Sequence, residues 1–300
     1  MTIGTITNHR SREEGAIIYP VHSRRSGGLS IGVNLFPDRK VCSFNCPYCE
    51  VFPFEADVFF SMETMKSALC RTVQEAQKNG VPIKDICFSG NGEPTMSPFF
   101  TEAVTAAAAI RSELAPEAKL VAITNGTGLL NQAVFQFLKT ASLPGIDLHI
   151  WLKLDAATEA WYNAVDRSAV PFMELVSRIR DFAGSGAPFT IQTMLCKIKS
   201  ALPPPEESAA WVQLVTELAA LSAASVRDCC AVGHTGATGG YCVTENKPHI
   251  RAVQLYGKAR PAPEDPLAEA APTEALEERA ALLRGALDKA GMIVPVEVYK

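Results

Sequence analysis

Three closely spaced cysteines carry the clearest chemical signal in this sequence. Cys42, Cys46 and Cys49 stand in a turn-rich stretch just after an apolar run from Leu29 to Leu35. Thiolates so close together can bind one soft metal centre, because sulfur ligands select iron–sulfur clusters, zinc or Cu(I). Structural zinc takes four protein ligands and iron–sulfur clusters normally take four cysteines, whereas this C-x3-C-x2-C loop supplies three. The spacing predicts a [4Fe–4S] cluster with one iron left open; a zinc loop with a distant fourth ligand, or a chance grouping of thiols, is the alternative.

A second motif, Gly-Asn-Gly-Glu-Pro at residues 90–94, comes directly after a short apolar run from Ile83 to Phe88. The run is typical of a buried strand. Glycines at the end of a strand let the backbone approach a ligand closely, which side chains would otherwise prevent. Glu93 adds a carboxylate in the crevice beyond the strand. Alone, the motif is equally compatible with an ordinary turn.

Together, the two motifs resemble those of the radical S-adenosylmethionine (SAM) superfamily. The resemblance rests on the cysteine spacing, on the aromatic Tyr48 just before the last cysteine, and on the glutamate–proline turn about forty residues later. It implies that the open iron of the cluster chelates the amino and carboxylate groups of SAM. It also implies that one electron cleaves SAM to methionine and a 5′-deoxyadenosyl radical, which abstracts a hydrogen atom from the substrate.

The resemblance gives roles to individual residues. The three cysteines are the expected cluster ligands, the aromatic residue is expected near adenine, and the glycines and glutamate of the turn are expected to bind the SAM amine. In this sequence those residues are Cys42, Cys46, Cys49, Tyr48, Gly90, Gly92 and Glu93. Asn91 departs from the family pattern, which has a glycine at that position.

Polar residues near the carboxyl ends of later strands are further candidates for the SAM and substrate pocket. Thr124 and Asn125 lie where the family has a Thr-Asn-Gly beside SAM, with helix capping as the alternative. Lys153 and Asp155 alternate with leucines, so both point to one face, where a buried charge must be paired or functional. A structural ion pair is the alternative for these two. Gln192 lies within the next apolar strand and could reach SAM or substrate.

Tyr256 and Arg260, after the sixth strand, are the candidates for substrate contact, because arginine suits a carboxylate or phosphate. Solvated surface is the alternative for Arg260. Over about residues 23–265 the resemblance narrows to small bacterial and archaeal iron–sulfur oxidoreductases, which are loosely grouped with tRNA wyosine synthases. Archaeal wyosine synthases carry a second cluster bound by upstream cysteines, whereas here no cysteine precedes Cys42. Basic, aromatic-rich segments suited to a nucleic acid are also few.

Length and composition are those of one globular catalytic domain. Three hundred residues with 47% hydrophobic content can bury one large core, and we expect a single domain over residues 1–300 with an extension at 266–300. Nine cysteines, three of them at metal-like spacing, indicate reduced thiols in a cytoplasm rather than a disulfide framework. The absence of a long apolar stretch and of a signal-like start predicts no membrane span or leader. The net charge of −4 argues against a large nucleic-acid footprint.

Strand-like and helix-like segments alternate along the chain, which is the pattern of a parallel sheet with crossover helices. The predicted strands are 29–35, 83–88, 120–123, 146–154, 189–195, 250–256 and 292–299. The predicted helices are 62–77, one opened by Ser97-Pro98, 132–140, 159–165, 171–182, 206–221 and 273–290. With the resemblance, this predicts an α/β fold, a partial (β/α)6 TIM-type barrel with a C-terminal helix and strand. The site should lie at the carboxyl ends of the strands.

A cysteine- and glycine-rich segment, residues 227–242, is harder to interpret. Cys229, Cys230, His234 and Cys242 could bind a second metal, but adjacent cysteines rarely ligate one cluster with good geometry. We expect a structural role or substrate contact without metal, in a loop at the bottom of the barrel. If Val226–Val232 were a strand, the glycine-rich turn could instead cover the top.

These observations predict a radical SAM enzyme that acts on a small molecule or peptide and receives electrons from a donor such as flavodoxin or ferredoxin. Modification of a tRNA base is the second reading. An activase for a glycyl-radical partner also fits, although no residue marks a docking surface. The alternative of another class is a non-enzymatic iron–sulfur or zinc protein, whose centre would have a fourth protein ligand and would not respond to SAM.

Overall fold

A mostly parallel sheet curls into half of a barrel, with helices packed on its outer face. The computed structural model describes residues 16–23, 25–231 and 248–299, with the backbone alone for 225–231. The strands are β1 Ile18–Ser23, β2 Gly28–Val33, β3 Ile83–Phe88, β4 Lys119–Thr124, β5 Leu148–Lys153, β6 Phe189–Ile198, β7 Ile250–Gly257, β8 Ala268–Ala270 and β9 Val296–Tyr299. Their order across the main sheet is β1-β2-β3-β4-β5-β6-β7-β9, and β8 pairs with β6.

Strands β2 to β7, and then β9, run parallel, while β1 and β8 are antiparallel additions. Parallel neighbours need a crossover connection, and helices supply it here. The helices are α1 Met62–Lys78, α2 Phe100–Leu114, α3 Gln132–Ala141, α4 Glu159–Val165, α5 Phe172–Gly184, α6 Pro205–Ala231 and α7 Thr273–Lys289. Across the described ranges, none of them combines the length and the apolar character that crossing a membrane requires.

The predicted partial barrel is confirmed, and its predicted strands and helices are present with shifted ends. β1 and β8 were not predicted, because β1 contains Pro20, which counts against a strand, and β8 is three residues long. α2 begins at Phe100 rather than at Ser97-Pro98, because the Ser97 hydroxyl accepts the Phe99 N–H (3.2 Å) and belongs to a preceding turn. α7 and β9 lie in the expected extension, and β9 pairs with β7 in the main sheet.

The segment after residue 221 also differs from expectation. α6 continues to Ala231, so the strand considered at Val226–Val232 is wrong over its described part. Cys229 and Cys230 lie on this helix, in the part for which side chains are not described. His234 and Cys242 lie outside the described residues, and their proposed roles stay predictions.

Alternate residues of the strands separate the core under the helices from the lumen of the half-barrel. On β3, Ile86 and Phe88 join the large core, whereas Cys87 between them faces the other side. On β4 and β5, Val121 and Trp151 join Cys87 in a small separate cluster. Because successive side chains of a strand point to opposite faces, the register of a strand determines both which residues face the core and which face the lumen. The lumen can therefore carry polar residues without interrupting the core.

The packing of α1 can be tested with two leucines. Leu69 on α1 is fully buried, whereas Leu282 on α7 is 53% exposed. We expect Leu69→Ala to lower the free energy of unfolding by about 2–5 kcal/mol, because it leaves a cavity in the core. Leu282→Ala makes the same chemical change at the surface and should alter it by less than about 0.5 kcal/mol. Urea unfolding followed by circular dichroism measures both; equal effects would contradict the placement of α1.

His149 on β5 gives a pH test of the same sheet. Burial and the positive charge of Arg251 lower the pKa of His149 from 6.5 to about 4, against the opposing effect of Asp147. The Asp147 carboxylate lies 3.7 Å from the imidazole, and Lys119 and Arg111 add further positive charge nearby. His149 is therefore neutral in the folded protein at pH values where the unfolded chain already binds a proton.

The change in stability with pH follows from the difference between the usual pKa of 6.5 and the lowered pKa of about 4. The contribution of His149 to stability is present above pH 6.5 and is lost as the pH falls to 4, by up to about 3 kcal/mol. His149→Gln should therefore flatten the decline in unfolding free energy over this window. Chemical denaturation at stepped pH measures the slope, with the exposed His22→Gln as the control. An unchanged slope in His149→Gln would contradict the burial of a neutral imidazole.

Candidate functional site

Backbone hydrogen bonds join the cysteine loop to the turn after β3. The Val41 N–H donates to the Asn91 carbonyl (3.0 Å), and the Glu93 N–H donates to the Val41 carbonyl (2.9 Å). Gly92 lies between these bonds, and a Cβ there would stand 1.8 Å from the Val41 carbonyl oxygen. No side chain fits at that distance, so glycine is required for the close approach. This glycine accordingly serves to seat the cysteine loop at the carboxyl edge of the sheet.

Two asparagines hold the same turn. The Asn34 side-chain oxygen accepts the backbone N–H groups of Asn91 and Phe36, both at 3.2 Å. The Asn91 side chain donates to the Phe36 carbonyl (3.1 Å). The residue that departs from the family pattern therefore has a structural partner of its own.

Glu93 is buried at the centre of a hydrogen-bond group. Its Oε1 accepts the Thr95 N–H (3.1 Å), the Thr95 hydroxyl (2.5 Å) and the Thr124 hydroxyl (2.6 Å). Its Oε2 accepts the Asn125 N–H (2.6 Å). Burial raises the pKa of Glu93, and these hydrogen bonds lower it without offsetting the burial. The carboxylate thus ties the turn after β3 to the end of β4, with both oxygens already bonded to the chain.

Asn125 carries this connection on to the cysteine loop. Its side-chain nitrogen donates to the Ser43 hydroxyl (2.9 Å) and lies 3.7 Å from the Cys42 sulfur. Its side-chain oxygen accepts the N–H (3.0 Å) and the hydroxyl (2.8 Å) of Thr127. Ser43 and Thr127 are themselves joined by a 2.6 Å hydrogen bond. The end of β4 therefore fixes the first cysteine.

The segment after α4 holds the other side of the loop. The Asn45 N–H donates to the Asp166 carbonyl (2.9 Å), and the Ser168 hydroxyl donates to the Ser43 carbonyl (3.0 Å). The Cys46 sulfur lies 4.0 Å from both the carbonyl and the carboxylate oxygen of Asp166. The loop is thereby anchored to β3, to β4 and to the region after α4.

The donor set of the loop has the chemistry that a cluster requires. Burial raises the pKa of the Cys42 thiol to about 11, against the lowering effect of the Phe44 N–H that points at its sulfur (3.4 Å). Burial also raises the pKa of Cys46 far above its usual value, with Asp166 adding to the effect. A bound cation reverses this preference and deprotonates a coordinating thiol.

The structure describes no group of three or more Cys, His, Asp or Glu side chains that could hold a single metal ion, over the residues that it covers. A cubane cluster differs from a single ion, because each thiolate binds its own iron and the ligands stand farther apart. The Cys49 N–H donates to the Cys46 carbonyl (3.0 Å), and the charge of Cys49 adds to the burial that raises the pKa of both Cys42 and Cys46. Three neighbouring soft thiols therefore fit a three-ligand iron–sulfur cluster.

Lys153 and Asp155 share one face, as their alternation predicted, and form an ion pair (2.8 Å). Asp155 also accepts the Tyr48 hydroxyl and the Met194 N–H (2.7 Å), while Lys153 donates to the Tyr256 hydroxyl (2.6 Å). Burial lowers the pKa of Lys153, but Asp155 and Tyr256 outweigh it, so the pKa rises and the amine stays charged. The structural ion pair is thus observed, and it links the cysteine loop to β5 and β7.

A cavity of about 300 Å³ opens in the lumen beside the cysteine loop. The predicted site residues that line it are Tyr48, Cys49, Gly90, Tyr256 and Arg260. The remaining predicted residues lie outside its lining: Cys42 and Cys46 on the cysteine loop, and Gly92, Glu93, Thr124, Asn125, Lys153, Asp155 and Gln192. Gln192 is fully buried and accepts a hydrogen bond from Arg25 (2.9 Å) while donating to Gln254 (2.6 Å).

A larger cavity, of about 930 Å³, lies between α6 and α7 and is lined mainly by apolar residues. None of the three cysteines lines it, so its larger size does not identify it as the candidate site. We place the candidate site in the smaller cavity because Cys49 lines it.

Sequence reasoning missed several residues of this site. Arg25 and Trp151 line the cavity, Glu50 pairs with Arg260 (2.9 Å), and Asp166 contacts the cysteine loop. The position of Glu50, directly after Cys49, was the available signal for one of them. The others come from a hairpin, a strand and a helix end that no motif marks.

Comparison with known proteins gives partial matches in sequence. No protein-family model matches the chain. A UPF0026 protein from Helicobacter pylori strain J99 is 30% identical over 176 residues, which cover 55% of this chain and 54% of that protein. A UPF0026 protein from strain 26695 of the same species matches to the same extent. The chain thus spans about half the length of the curated relatives it matches.

Solved structures share the fold at low sequence identity. SuiB of Streptococcus suis bound to the precursor peptide SuiA has a TM-score of 0.59 at 12% identity, over 92% of this chain and 51% of SuiB. SuiB bound to S-adenosylmethionine gives 0.58 at 12% identity, over 90% and 50%. TYW1 with a lysine–pyruvate adduct gives 0.53 at 12% identity, over 85% and 73%. The chain therefore shares the fold of SuiB and TYW1, as the predicted partial barrel requires.

The seat of the cysteine loop can be tested at Gly92. We expect Gly92→Ala to lower the free energy of unfolding by about 3 kcal/mol or more, because its Cβ collides with the backbone at Val41 and the loop must move. Gly80→Ala is the control, since Gly80 also has a positive φ (+64°) but open space around its Cβ position. It should lower the free energy of unfolding by about 1 kcal/mol. Thermal unfolding gives the stabilities, and limited proteolysis within residues 36–60 reports the loop. Equal protease resistance of Gly92→Ala and the unsubstituted chain would contradict this seat.

Proposed function

We propose that this chain is a radical SAM enzyme in which Cys42, Cys46 and Cys49 hold a [4Fe–4S] cluster. The observation that supports this most strongly is the three-thiol loop, which is anchored at the carboxyl edge of a half-barrel with Cys49 lining the lumen cavity. When bound, the cluster and SAM together would supply reductive cleavage of SAM and a 5′-deoxyadenosyl radical. The shared fold with SuiB, which has been solved with S-adenosylmethionine bound, supports the proposal.

In this proposal the residues around Glu93 position the SAM-binding surface. Because both carboxylate oxygens of Glu93 accept hydrogen bonds from the chain, we assign Glu93 the task of holding the turn and the end of β4 in register. Gly90 and Gly92 then offer backbone groups to the SAM amine, and Asn125 orients the loop around Cys42. Thr124 supports this arrangement through its bond to Glu93.

The charged pair on β5 has a second task in the proposal. Lys153 and Asp155 hold the Tyr48 and Tyr256 hydroxyls at fixed positions on the lumen face. Two aromatic rings beside the cavity present flat apolar surface of the kind that a nucleoside base packs against. We therefore propose that Tyr48 and Tyr256 bound the space for SAM and substrate, with Gln192 behind the lining, where it holds Arg25.

The proposal includes a substrate and an electron donor. A cavity of about 300 Å³ is of a size that takes a small molecule or the side chain of a peptide. One electron must come from a reduced carrier such as a flavodoxin or ferredoxin.

Anaerobic iron–sulfur reconstitution tests this function. Electron paramagnetic resonance of the reduced protein should shift when SAM is added, and 5′-deoxyadenosine should be released slowly. Cys46→Ala should abolish both signals, because the cluster loses one of three ligands. Cys70→Ala, which removes a half-buried thiol from α1, is the matched control and should retain both. A cluster that ignores SAM would instead support the non-enzymatic iron–sulfur protein.

A further inference from the structure

Arg25 reaches the lumen from the turn between β1 and β2. Its guanidinium carbon lies 4.7 Å from the centre of the Tyr256 ring and 5.7 Å from the Trp151 ring. It lines the same cavity as Cys49. The hairpin turn adjoins the amino end of β2, whereas the cysteine loop follows the carboxyl end of that strand. The cavity thus has a fixed cation in one wall and a cysteine in another.

The charge of Arg25 lacks a carboxylate partner among the residues that the structure describes. Its one hydrogen bond to a described residue runs from NH1 to the neutral Gln192 side chain (2.9 Å). Other arginines contrast with it, because each has an ion pair: Arg167 with Glu264 (2.7 Å), Arg180 with Glu217 (2.8 Å) and Arg260 with Glu50 (2.9 Å). Of the two arginines that line the cavity, Arg260, which the sequence predicted to meet an anion, is already paired with Glu50, whereas Arg25 has no ion pair to a described residue.

The nearby acids are engaged elsewhere. Asp85 accepts the Ser30 hydroxyl, and Glu297 accepts the Gln254 amide (2.9 Å) and the Tyr299 hydroxyl (2.8 Å). None of these contacts is an ion pair with Arg25. Burial raises the pKa of Asp85 and the charge of Arg25 lowers it, so these two groups interact across a distance without forming an ion pair.

The surroundings of Arg25 also fix its direction. Gln192, which accepts its N–H, is itself held by Gln254, and that amide is held by Glu297. A guanidinium stacked on two rings and held by one such bond is ordered before any ligand arrives. Its remaining donors form a planar fork that matches the oxygens of a carboxylate or phosphate.

We propose that Arg25 binds an oxyanion of the substrate, so that the enzyme acts on a small molecule carrying a carboxylate or phosphate group. That the anion belongs to a substrate rests on the proposed function, whereas the presence of an anion site at Arg25 does not. Binding of the anion at Arg25 orients the rest of the molecule along the aromatic wall, toward the end of the cavity lined by Cys49.

The first test uses three ring compounds that differ in charge. Benzoate, phenyl phosphate and neutral benzamide are titrated into the reconstituted protein with SAM in excess, so that the SAM site is filled. Calorimetry measures affinity, and tryptophan fluorescence reports the site, since Trp151 lies beneath Arg25. We expect an anion to bind more tightly than benzamide and to change the fluorescence. The preferred anion tells a carboxylate substrate from a phosphate substrate.

The second test compares the loss of one positive charge inside the cavity with the same loss outside it. Arg25→Gln should weaken the preferred anion by about tenfold or more, the loss of one charge-assisted pair, and leave benzamide unchanged. Arg180→Gln removes the same charge from an ion pair outside the cavity and should change neither affinity. Arg25→Lys, which keeps the charge but not the fork, should bind the anion more weakly than the unsubstituted protein and serves if the glutamine variant does not fold.

The outcomes separate this inference from the proposed function. Anions that bind no better than benzamide, or equally well to Arg25→Gln, would overturn the anion site. Loss of the SAM-induced resonance shift in folded Arg25→Gln would assign Arg25 to SAM instead and would also overturn it. Anion binding at Arg25 in a protein whose cluster ignores SAM would leave the site standing and reject the radical SAM function alone.

Discussion

The close approach of the Gly92 backbone to the Val41 carbonyl is the contact on which the site depends. It pairs the cysteine loop with the turn after β3 at the carboxyl edge of the sheet, through hydrogen bonds of 2.9 and 3.0 Å on either side of Gly92. With the loop held there, Asn125 and Asp166 contact it from the next elements around the barrel. The positions of the three thiols are thus set by the sheet rather than by the loop alone. A loop of this length without such support would lose its conformational entropy only when metal bound.

Strand alternation gives the half-barrel two separate interiors. The outer one is apolar and packs under the helices, while the inner one holds two polar pairs, Lys153 with Asp155 and Arg25 with Gln192. Buried polar groups are stable only where their partners are supplied, and here neighbouring strands supply them at matching register. Lys153 on β5 and Gln192 on β6 are direct register partners. Stability and function therefore draw on different faces of the same strands, so lumen residues can specify a ligand without weakening the core.

Much of this could be predicted from the sequence, because the signals are local. The apolar runs predicted β3 and β4, and α1 and α3 begin at the predicted residues, each after a capping side chain, Ser61 and Asn131. The alternation of Lys153 and Asp155 gave their shared face. Arg25 could not be found in this way, because its partners Trp151 and Tyr256 are more than a hundred residues away and no spacing relates them. The engagement of Glu93 with Thr124 and Asn125 was hidden for the same reason.

The central claim is that SAM binds directly to a cluster held by Cys42, Cys46 and Cys49. Electron–nuclear double resonance on the reduced, reconstituted protein tests it, with SAM labelled by ¹⁵N at the amine and ¹⁷O at the carboxylate. We predict hyperfine coupling from both labels, since each atom would be bonded to the open iron. An intact cluster that shows neither coupling at saturating SAM would contradict it and leave this fold with a different use for its three thiols.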